Sequence, residues 1–235
     1  MHQRDRPCCQ PSFTKLEGVV VECRKCPRLV HYRETVPPKQ PYQNECYWRK
    51  PVPGFGDPHA SLMIIGLAPA SHGGNRTGRI FTGDRSAEFL FRSLYSVGLA
   101  NQPTSISRDD GLKLHNLYIT AAVKCSPPQD KPTKEEILEC HHYLRNEIAL
   151  LKNLKRIIVF GKIAFDAFRL FAKEEGVSMR NMRFCFGARY LLPRLPTLYV
   201  SYHPSPRNTQ TGRLTQEMLT SLLYNAMENI DHDLG

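Results

Sequence analysis

The sequence predicts an α/β fold, a three-layer α/β/α sandwich with a central, mainly parallel four-stranded sheet. Four short apolar runs, at 61–67, 116–122, 155–160 and 197–202, are typical of strands buried on both faces. Helical patterns separate these runs, and such alternation indicates a parallel sheet covered by helices. No linker interrupts the alternation, so we expect a single domain over 15–235 after a loose polar tail over 1–14.

Each helix prediction follows from spacing and from the residues that begin it. The helix over 84–98 carries apolar side chains at helical intervals, and Asp84 is a suitable N-cap. The helix over 133–151 opens with Thr133 and Glu136, the spacing of a capping box. Helical spacing also predicts helices over 163–176 and 214–230. The proline-rich segment 36–59 is expected to be an ordered loop, because its aromatic side chains offer surface to bury.

Composition limits the class of protein. With 235 residues, 41% hydrophobic and 23% charged, the chain is that of an ordinary globular protein and can build a large core. No apolar run approaches the ~20 residues that span a bilayer, and residues 1–10 lack the apolar core of a secretory signal, so a cytoplasmic protein is expected. The net charge of +10 favours a polyanionic partner such as nucleic acid, although a merely basic surface is the alternative.

Two pairs among the eight cysteines have spacings that suit a metal site. Cys23 and Cys26 form C-x2-C, and Cys125 and Cys140 lie around the end of the second strand and on the next helix. Four thiolates suit an iron–sulfur cluster or a structural zinc, and the single C-x2-C favours the cluster. Four buried cysteines that only pack are the alternative. The remaining cysteines have no partner at metal spacing.

The loops after the strands carry the polar chemistry, at the edge where parallel sheets bind ligands. The loop 68–83 is rich in glycine and holds Arg76 and Arg79, which suggests phosphate contact, and Phe81 either stacks on a base or packs in the core. His203 follows the last strand, where it is suited to stabilise charge, although a structural histidine is the alternative.

At these residues the sequence resembles the uracil-DNA glycosylase superfamily, and within it the type 5 enzymes. The resemblance rests on ECRKCPRLVHYRE, YWRKPVPGFGDP, GLAPASHGGNRTGRIFTGDRS, AAVKCSPPQDKPT and YHPSPRNTQTGRLT. It implies the sandwich fold, a 4Fe-4S cluster on Cys23, Cys26, Cys125 and Cys140, and removal of deaminated bases from double-stranded DNA. Such an enzyme flips its target nucleotide and leaves an abasic site for base excision repair. It would act on the chromosome, in association with the nucleoid.

The resemblance and the loops together give the expected site. The candidate catalytic residues are Asp84, Asp130 and His203. The candidate contacts to the flipped base are Gly66, Leu67, Ala68, Pro69, His72 and Phe81. The candidate DNA contacts are Asn75, Arg76, Arg79, Ser205, Arg207, Asn208 and Gln210, with the wedge that fills the duplex expected within 207–210.

The sequence also differs from the superfamily pattern at three places. No acidic or amide residue stands in 66–70 to orient water, which is the type 5 pattern. Asp130 stands where Asn is expected, and the strand around Thr120 lacks the Asn of uracil-strict members. We therefore expect relaxed specificity, including hypoxanthine and xanthine. A metal-stabilised module that binds damaged or single-stranded DNA without catalysis is the alternative, and a zinc-dependent nucleic-acid enzyme is a third.

Overall fold

The computed structural model of the chain describes residues 12–228. The strands are β1 (Phe55–Gly56), β2 (Leu62–Gly66), β3 (Leu117–Ala121), β4 (Arg156–Phe160), β5 (Arg189–Tyr190) and β6 (Thr197–Ser201). The helices are α1 (Phe13–Val21), α2 (Pro27–Thr35), α3 (Gly74–Thr77), α4 (Arg85–Ser96), α5 (Lys134–Leu150), α6 (Lys162–Glu174), α7 (Pro206–Thr209) and α8 (Gln216–Glu228). A short 3-10 turn, Pro128–Asp130, precedes α5.

The sheet has the order β1-β3-β2-β4-β6-β5. Its four central strands run parallel and every residue in them is buried, as the apolar runs predict. The predicted count of four strands is corrected to six, because β1 and β5 add antiparallel edges. Each edge strand has only two residues, too short for a periodic pattern to reveal.

The four predicted helices form with their expected starts. Asp84 caps α4, where its Oδ1 accepts from the Ala87 amide at 2.9 Å. Thr133 and Glu136 form the capping box of α5 through both reciprocal bonds. The helix predicted over 214–230 is α8, and its last two predicted residues lie outside the described part of the chain. These caps determine where the loops between sheet and helices begin and end.

Helices cover both faces of the sheet, which gives the three predicted layers. On one face α4 and α8 pack together over side chains such as Ile64 and Ile119. On the other face α5 and α6 pack over Met63, Ile65 and Val159. Neighbouring residues of one strand thus enter opposite cores, because side chains alternate across a strand.

The N-terminal region is more ordered than predicted within its described part. Ser12 caps α1, and Phe13 packs its ring on Tyr118 at 4.9 Å between centroids. The tail prediction is therefore wrong for residues 12–14, because Phe13 gains apolar contact, whereas residues 1–11 lie outside the described residues. The segment 36–59 is ordered as predicted, with Trp48 donating to the Pro51 carbonyl at 3.1 Å. No helix within 12–228 is long and apolar enough to cross a membrane.

Candidate active site

The four parallel strands end at one edge of the sheet, and the loops that follow them meet there. The last strand residues are Gly66, Ala121, Phe160 and Ser201. The first two loops are bonded to each other, because the Val123 amide donates to the Leu67 carbonyl at 3.0 Å and the Ser71 and Ser126 hydroxyls lie 2.9 Å apart. The parallel topology therefore brings the predicted loops to the one edge of the sheet where such folds bind ligands, and we call this edge the cleft.

Phe81 and His203 lie face to face at this edge. Their ring centroids are 5.6 Å apart with planes 29° apart, and Phe160 meets Phe81 edge-on at 6.0 Å. Phe81 has a φ of +48°, which is rare for a bulky residue and typical of functional sites. Gly66 permits this position, because a Cβ there would lie 2.9 Å from the Phe81 ring. Phe81 is thus part of the core, and its stacking on a base stays a prediction.

His203 is held in its neutral form. It is only partly exposed, two residues after the end of β6. Burial of the imidazole lowers the pKa of His203 to about 4, so the ring carries no charge at pH 7. A neutral imidazole donates one hydrogen bond and accepts another. Such a ring can donate to an oxygen that becomes negative without itself adding a buried charge.

Asp84 has a structural task that leaves part of its carboxylate available. While Oδ1 caps α4, Oδ2 faces the Cα of Gly73 so closely that any side chain at position 73 would overlap it. Burial raises the pKa of Asp84, whereas its amide hydrogen bonds and Arg76 oppose that rise. The negative charge of Asp130 also raises it, which indicates that the two carboxylates face a shared region.

Asp130 lies on a strained turn above that region. Both Gln129 and Asp130 have φ of +55°, two successive left-handed residues in the turn before α5. Although Asp130 is exposed at the surface, desolvation by the surrounding chain raises its pKa. The left-handed backbone of this turn therefore sets the direction in which the Asp130 side chain leaves the chain.

Three residues expected to contact DNA instead hold the glycine-rich loop together. Arg79 is buried, and its guanidinium binds Asp110 at 2.7 Å and the Ser105 hydroxyl at 2.8 Å. Arg76 is buried beneath Tyr42, with its donors on the Glu45 carboxylate and on the carbonyls of residues 72 and 83. The donors of Arg76 and Arg79 are therefore already committed within the protein, which does not favour the expected phosphate contacts.

Asn75 is committed in the same way. Its side chain is 1% exposed and Nδ2 donates to the Arg33 carbonyl at 3.1 Å, which joins the loop to α2. Among the expected base contacts, His72 shares a 3.0 Å hydrogen bond with the Tyr47 hydroxyl, and desolvation first, then nearby cations, lower the pKa of His72. Leu67 and Ala68 are half-buried, and Pro69 packs against Gly74. Their contact with a base stays a prediction.

The segment after His203 divides into support and exposed positions. Asn208 donates to the His203 carbonyl at 2.8 Å, so this side chain braces the histidine loop rather than extending toward DNA. Ser205 precedes α7 and is half-buried, whereas Arg207 on α7 and Gln210 just after it are exposed. The exposed pair remains suited to enter or flank a duplex.

The four predicted metal-ligating cysteines come together in one place. Cys23, Cys26, Cys125 and Cys140 line one cavity between α2, the loop after β3 and α5. Arg33, which is 2% exposed, donates from one NH to the Cys125 Sγ at 2.9 Å, and the Lys124 amide donates to the Cys140 Sγ at 3.2 Å. Within 12–228, no three His, Cys, Asp or Glu side chains converge closely enough to hold a single metal ion. Burial raises the pKa of the Cys140 thiol to about 12.

A buried ionic network behind the cleft was not predicted. Lys124 and Glu147 are each 1% exposed and form an ion pair of 2.7 Å, and the Thr120 hydroxyl also donates to Glu147 at 2.7 Å. Thr120 is therefore committed inward rather than free to contact a base. A lysine in the apolar sequence TAAVKC was the available signal, because a charge at such a position needs a partner.

Comparisons with known proteins agree with this architecture. The sequence profile described as Uracil DNA glycosylase superfamily matches residues 53–226. The chain is 46% identical over 205 residues to a type-5 uracil-DNA glycosylase of Thermus thermophilus, covering 87% of this chain and 92% of the relative. The corresponding protein of Pyrobaculum aerophilum is 44% identical over 215 residues, covering 88% of each chain. That of Mycobacterium leprae is 41% identical over 218 residues, covering 92% of this chain and 94% of the relative.

The matched region contains the whole strand-end cleft, from the Gly66 loop to the His203 loop, and the relatives align over most of both chains. Identity above 40% over such lengths leaves no room for a different fold. The chain therefore belongs to the uracil-DNA glycosylase superfamily and, within it, to the type-5 uracil-DNA glycosylases.

Proposed function

We propose that this chain is a monofunctional glycosylase that excises uracil and other deaminated bases, including hypoxanthine and xanthine, from double-stranded DNA. The observation that carries the proposal is the neutral His203 held against Phe81 at the edge where the strand-end loops meet. Membership of the type-5 family supports uracil in DNA as a substrate. The site of action expected for such an enzyme is the chromosome, in association with the nucleoid.

The chemistry requires charge stabilisation at two points. The N-glycosidic bond breaks and its electron pair leaves with the base, while the sugar becomes a cation that a water oxygen then attacks. The base departs as an anion, and the water gives up a proton to solvent. His203 would donate a hydrogen bond to a ring oxygen of the leaving base, as a donor in an oxyanion hole does. The carboxylate of Asp84 would stabilise the sugar cation or orient the water.

Relaxed specificity follows from the side chains that face the base region. Residues 66–70 carry no acid or amide, and the Thr120 hydroxyl is bonded to Glu147, so neither supplies a selective contact to a base edge. Asp130 is the remaining candidate. Its carboxylate would accept a hydrogen bond from a donor group on the base edge, whereas the Asn expected at this position could both donate and accept.

The four cysteines would hold a 4Fe-4S cluster. Their chemistry fits, because four thiolates are the ligands of such clusters and the four cysteines line one cavity. Arg33 supports the fit, since its buried guanidinium donates to the Cys125 sulfur and the Cys23 carbonyl, with the Glu34 carboxylate more distant at 3.7 Å, and so leaves positive charge beside the thiols. Bound there, the cluster would join α2 to α5 and would stabilise the fold. Arg33 would hold its charge, and Asn75 would link Arg33 to the catalytic loop.

A substrate panel tests the function. Duplexes and single strands that contain uracil, hypoxanthine or xanthine opposite several bases are incubated with the protein and then cleaved with alkali at abasic sites. We expect cleavage of uracil and of the deaminated purines in duplexes. Uracil cleavage alone would restrict the proposal to a strict enzyme. Binding without any cleavage would instead support a non-catalytic module that recognises damaged DNA.

A further inference from the structure

One stretch of the chain carries positive charge without any acidic residue. Residues 176–216 contain six arginines and no Asp, Glu or Lys. The stretch runs from the end of α6 through β5 and β6 to the start of α8, so it includes the His203 loop. Only Arg207 among these arginines belongs to the site described above. Of the others, Arg183 precedes β5 and Arg213 follows the His203 loop, and the proposed chemistry uses neither.

The fold brings the middle of this stretch to the active-site edge. Because β5 runs antiparallel to β6, the residues before β5 lie beside the carboxyl end of β6, and the Gly187 amide donates to the Val200 carbonyl at 2.9 Å. Exposure alternates along 181–190, with the odd-numbered residues exposed. Arg183 is on the exposed side, and its backbone amide donates a hydrogen bond to the Tyr190 hydroxyl at 3.1 Å. The segment 181–190 thus has one outward face, and together with the β5–β6 hairpin that it leads into we call it the edge hairpin.

Aromatic side chains fix this hairpin to the His203 loop. Phe186 stacks on Tyr202, which immediately precedes His203, with centroids 5.4 Å apart and planes 23° apart. The guanidinium of Arg213 lies 4.2 Å from the Tyr202 ring centroid. We name Arg183, Phe186, Tyr202 and Arg213 the arginine flank. The Tyr202 ring holds the Arg213 guanidinium in place before any ligand binds, which lowers the entropic cost of binding.

The arginines of the arginine flank are not paired with acidic side chains in the described part of the chain. Arg183 and Arg213 are exposed, and within 12–228 neither forms an ion pair with a carboxylate. Arg76 and Arg79, by contrast, are buried and committed to the loop. The arginine flank, and not the pair Arg76 and Arg79 of the glycine-rich loop, therefore presents guanidinium groups that phosphates can reach.

We propose that the arginine flank binds backbone phosphates of the duplex beside the flipped nucleotide and so extends the DNA interface past the cleft. The identity of this partner rests on the proposed function. Arg183 and Arg213 each make a phosphate contact, and the aromatic stack between them keeps the edge hairpin in register with the His203 loop. The contacts are independent of sequence, because they involve the backbone alone.

The test is the salt dependence of binding to a uracil-containing duplex. Arg183→Gln, Arg213→Gln and the double variant are compared with Lys155→Gln, which removes one exposed charge next to the start of β4 at the opposite edge of the sheet. Each lost phosphate contact lowers the slope of log K against log salt by about 0.9, so the double variant should lose about 1.8. Lys155→Gln should retain the wild-type slope. Equal slopes in all variants, or an equal loss in Lys155→Gln, would overturn the proposal.

A second measurement does not depend on the folding of a variant. Cys185 is exposed between Phe184 and Phe186, so it can be trapped as a disulfide by a thiol tethered to single phosphates of the duplex. Capture is expected from a few phosphates on one side of the uracil and is expected to disappear in Cys185→Ser. No capture from any phosphate would overturn the proposal. Both measurements read binding, so a wild-type protein that binds but cleaves nothing refutes the proposed function without affecting this result.

Discussion

Asp84 has two possible contributions, and a pair of substitutions separates them. Its Oδ1 caps α4 through the Ala87 amide, while Oδ2 faces the loop beside Gly73. Asp84→Ala removes both the cap and the charge. Asp84→Asn removes the charge but keeps a residue that caps helix N-termini about as well as aspartate does. The comparison of the two variants therefore isolates the carboxylate from the cap.

The expected magnitudes follow from these contacts. Loss of the 2.9 Å cap costs about 1 kcal/mol of unfolding free energy in Asp84→Ala. Asp84→Asn should retain wild-type stability, because burial, which raises the pKa of Asp84, makes its charge unfavourable in the folded protein. If the carboxylate stabilises the sugar cation or orients water, both variants lose about 100-fold in rate, which corresponds to about 2.7 kcal/mol.

The assay combines urea unfolding with single-turnover excision of uracil from a duplex at saturating enzyme. The result expected is a stability loss in Asp84→Ala alone and a rate loss in both variants. Full activity of Asp84→Asn beside a destabilised Asp84→Ala would refute the catalytic assignment and leave Asp84 as a helix cap. Seryl substitution provides a further check, since Asp84→Ser also retains a capping side chain.

Three other outcomes are expected from the site. The folded pKa of His203 is about 4, below its unfolded value of 6.5, so stability due to the neutral ring is complete above pH 6.5 and falls as pH decreases toward 4, by roughly 3 kcal/mol. His203→Gln should lack this loss in urea unfolding at pH 7 and pH 4.5, and should cleave about 100- to 1,000-fold more slowly at pH 7. Elemental analysis should find less iron in Cys140→Ser than in the wild type, and this variant should melt at a lower temperature. Cys185→Ser, which changes an exposed cysteine, should keep both properties. A full iron content in Cys140→Ser would contradict the cluster assignment. Arg79→Ala should destabilise the protein by about 3 kcal/mol, because the Asp110 carboxylate then keeps only its backbone amide donors and loses its counter-charge. The salt slope of DNA binding should stay unchanged in this variant, and a reduced slope would return Arg79 to the interface.

The sequence alone does not show which arginines are buried and which are exposed. Arg76 and Arg79 stand in a glycine-rich loop, which is a common setting for phosphate contacts, and no local pattern distinguishes them from Arg183 or Arg213. The difference depends on Glu45 and Asp110, which come from distant parts of the chain. A buried guanidinium group needs a hydrogen-bonded carboxylate or carbonyl partner, and the sequence does not specify which distant residue the fold brings to it.

The sequence by itself determined the central strands, the four long helices and the caps at Asp84 and Thr133, because periodicity and capping act over a few residues. It also identified the four cysteines by their spacing, and the structure brings them to one cavity. Only the tertiary structure decided that Phe81 rests on His203, that Thr120 turns toward Glu147, and that the edge strand β5 brings arginines beside the cleft. The physical reason is that these contacts join residues far apart in sequence, and burial decides for each polar group whether its donors face the protein or the ligand.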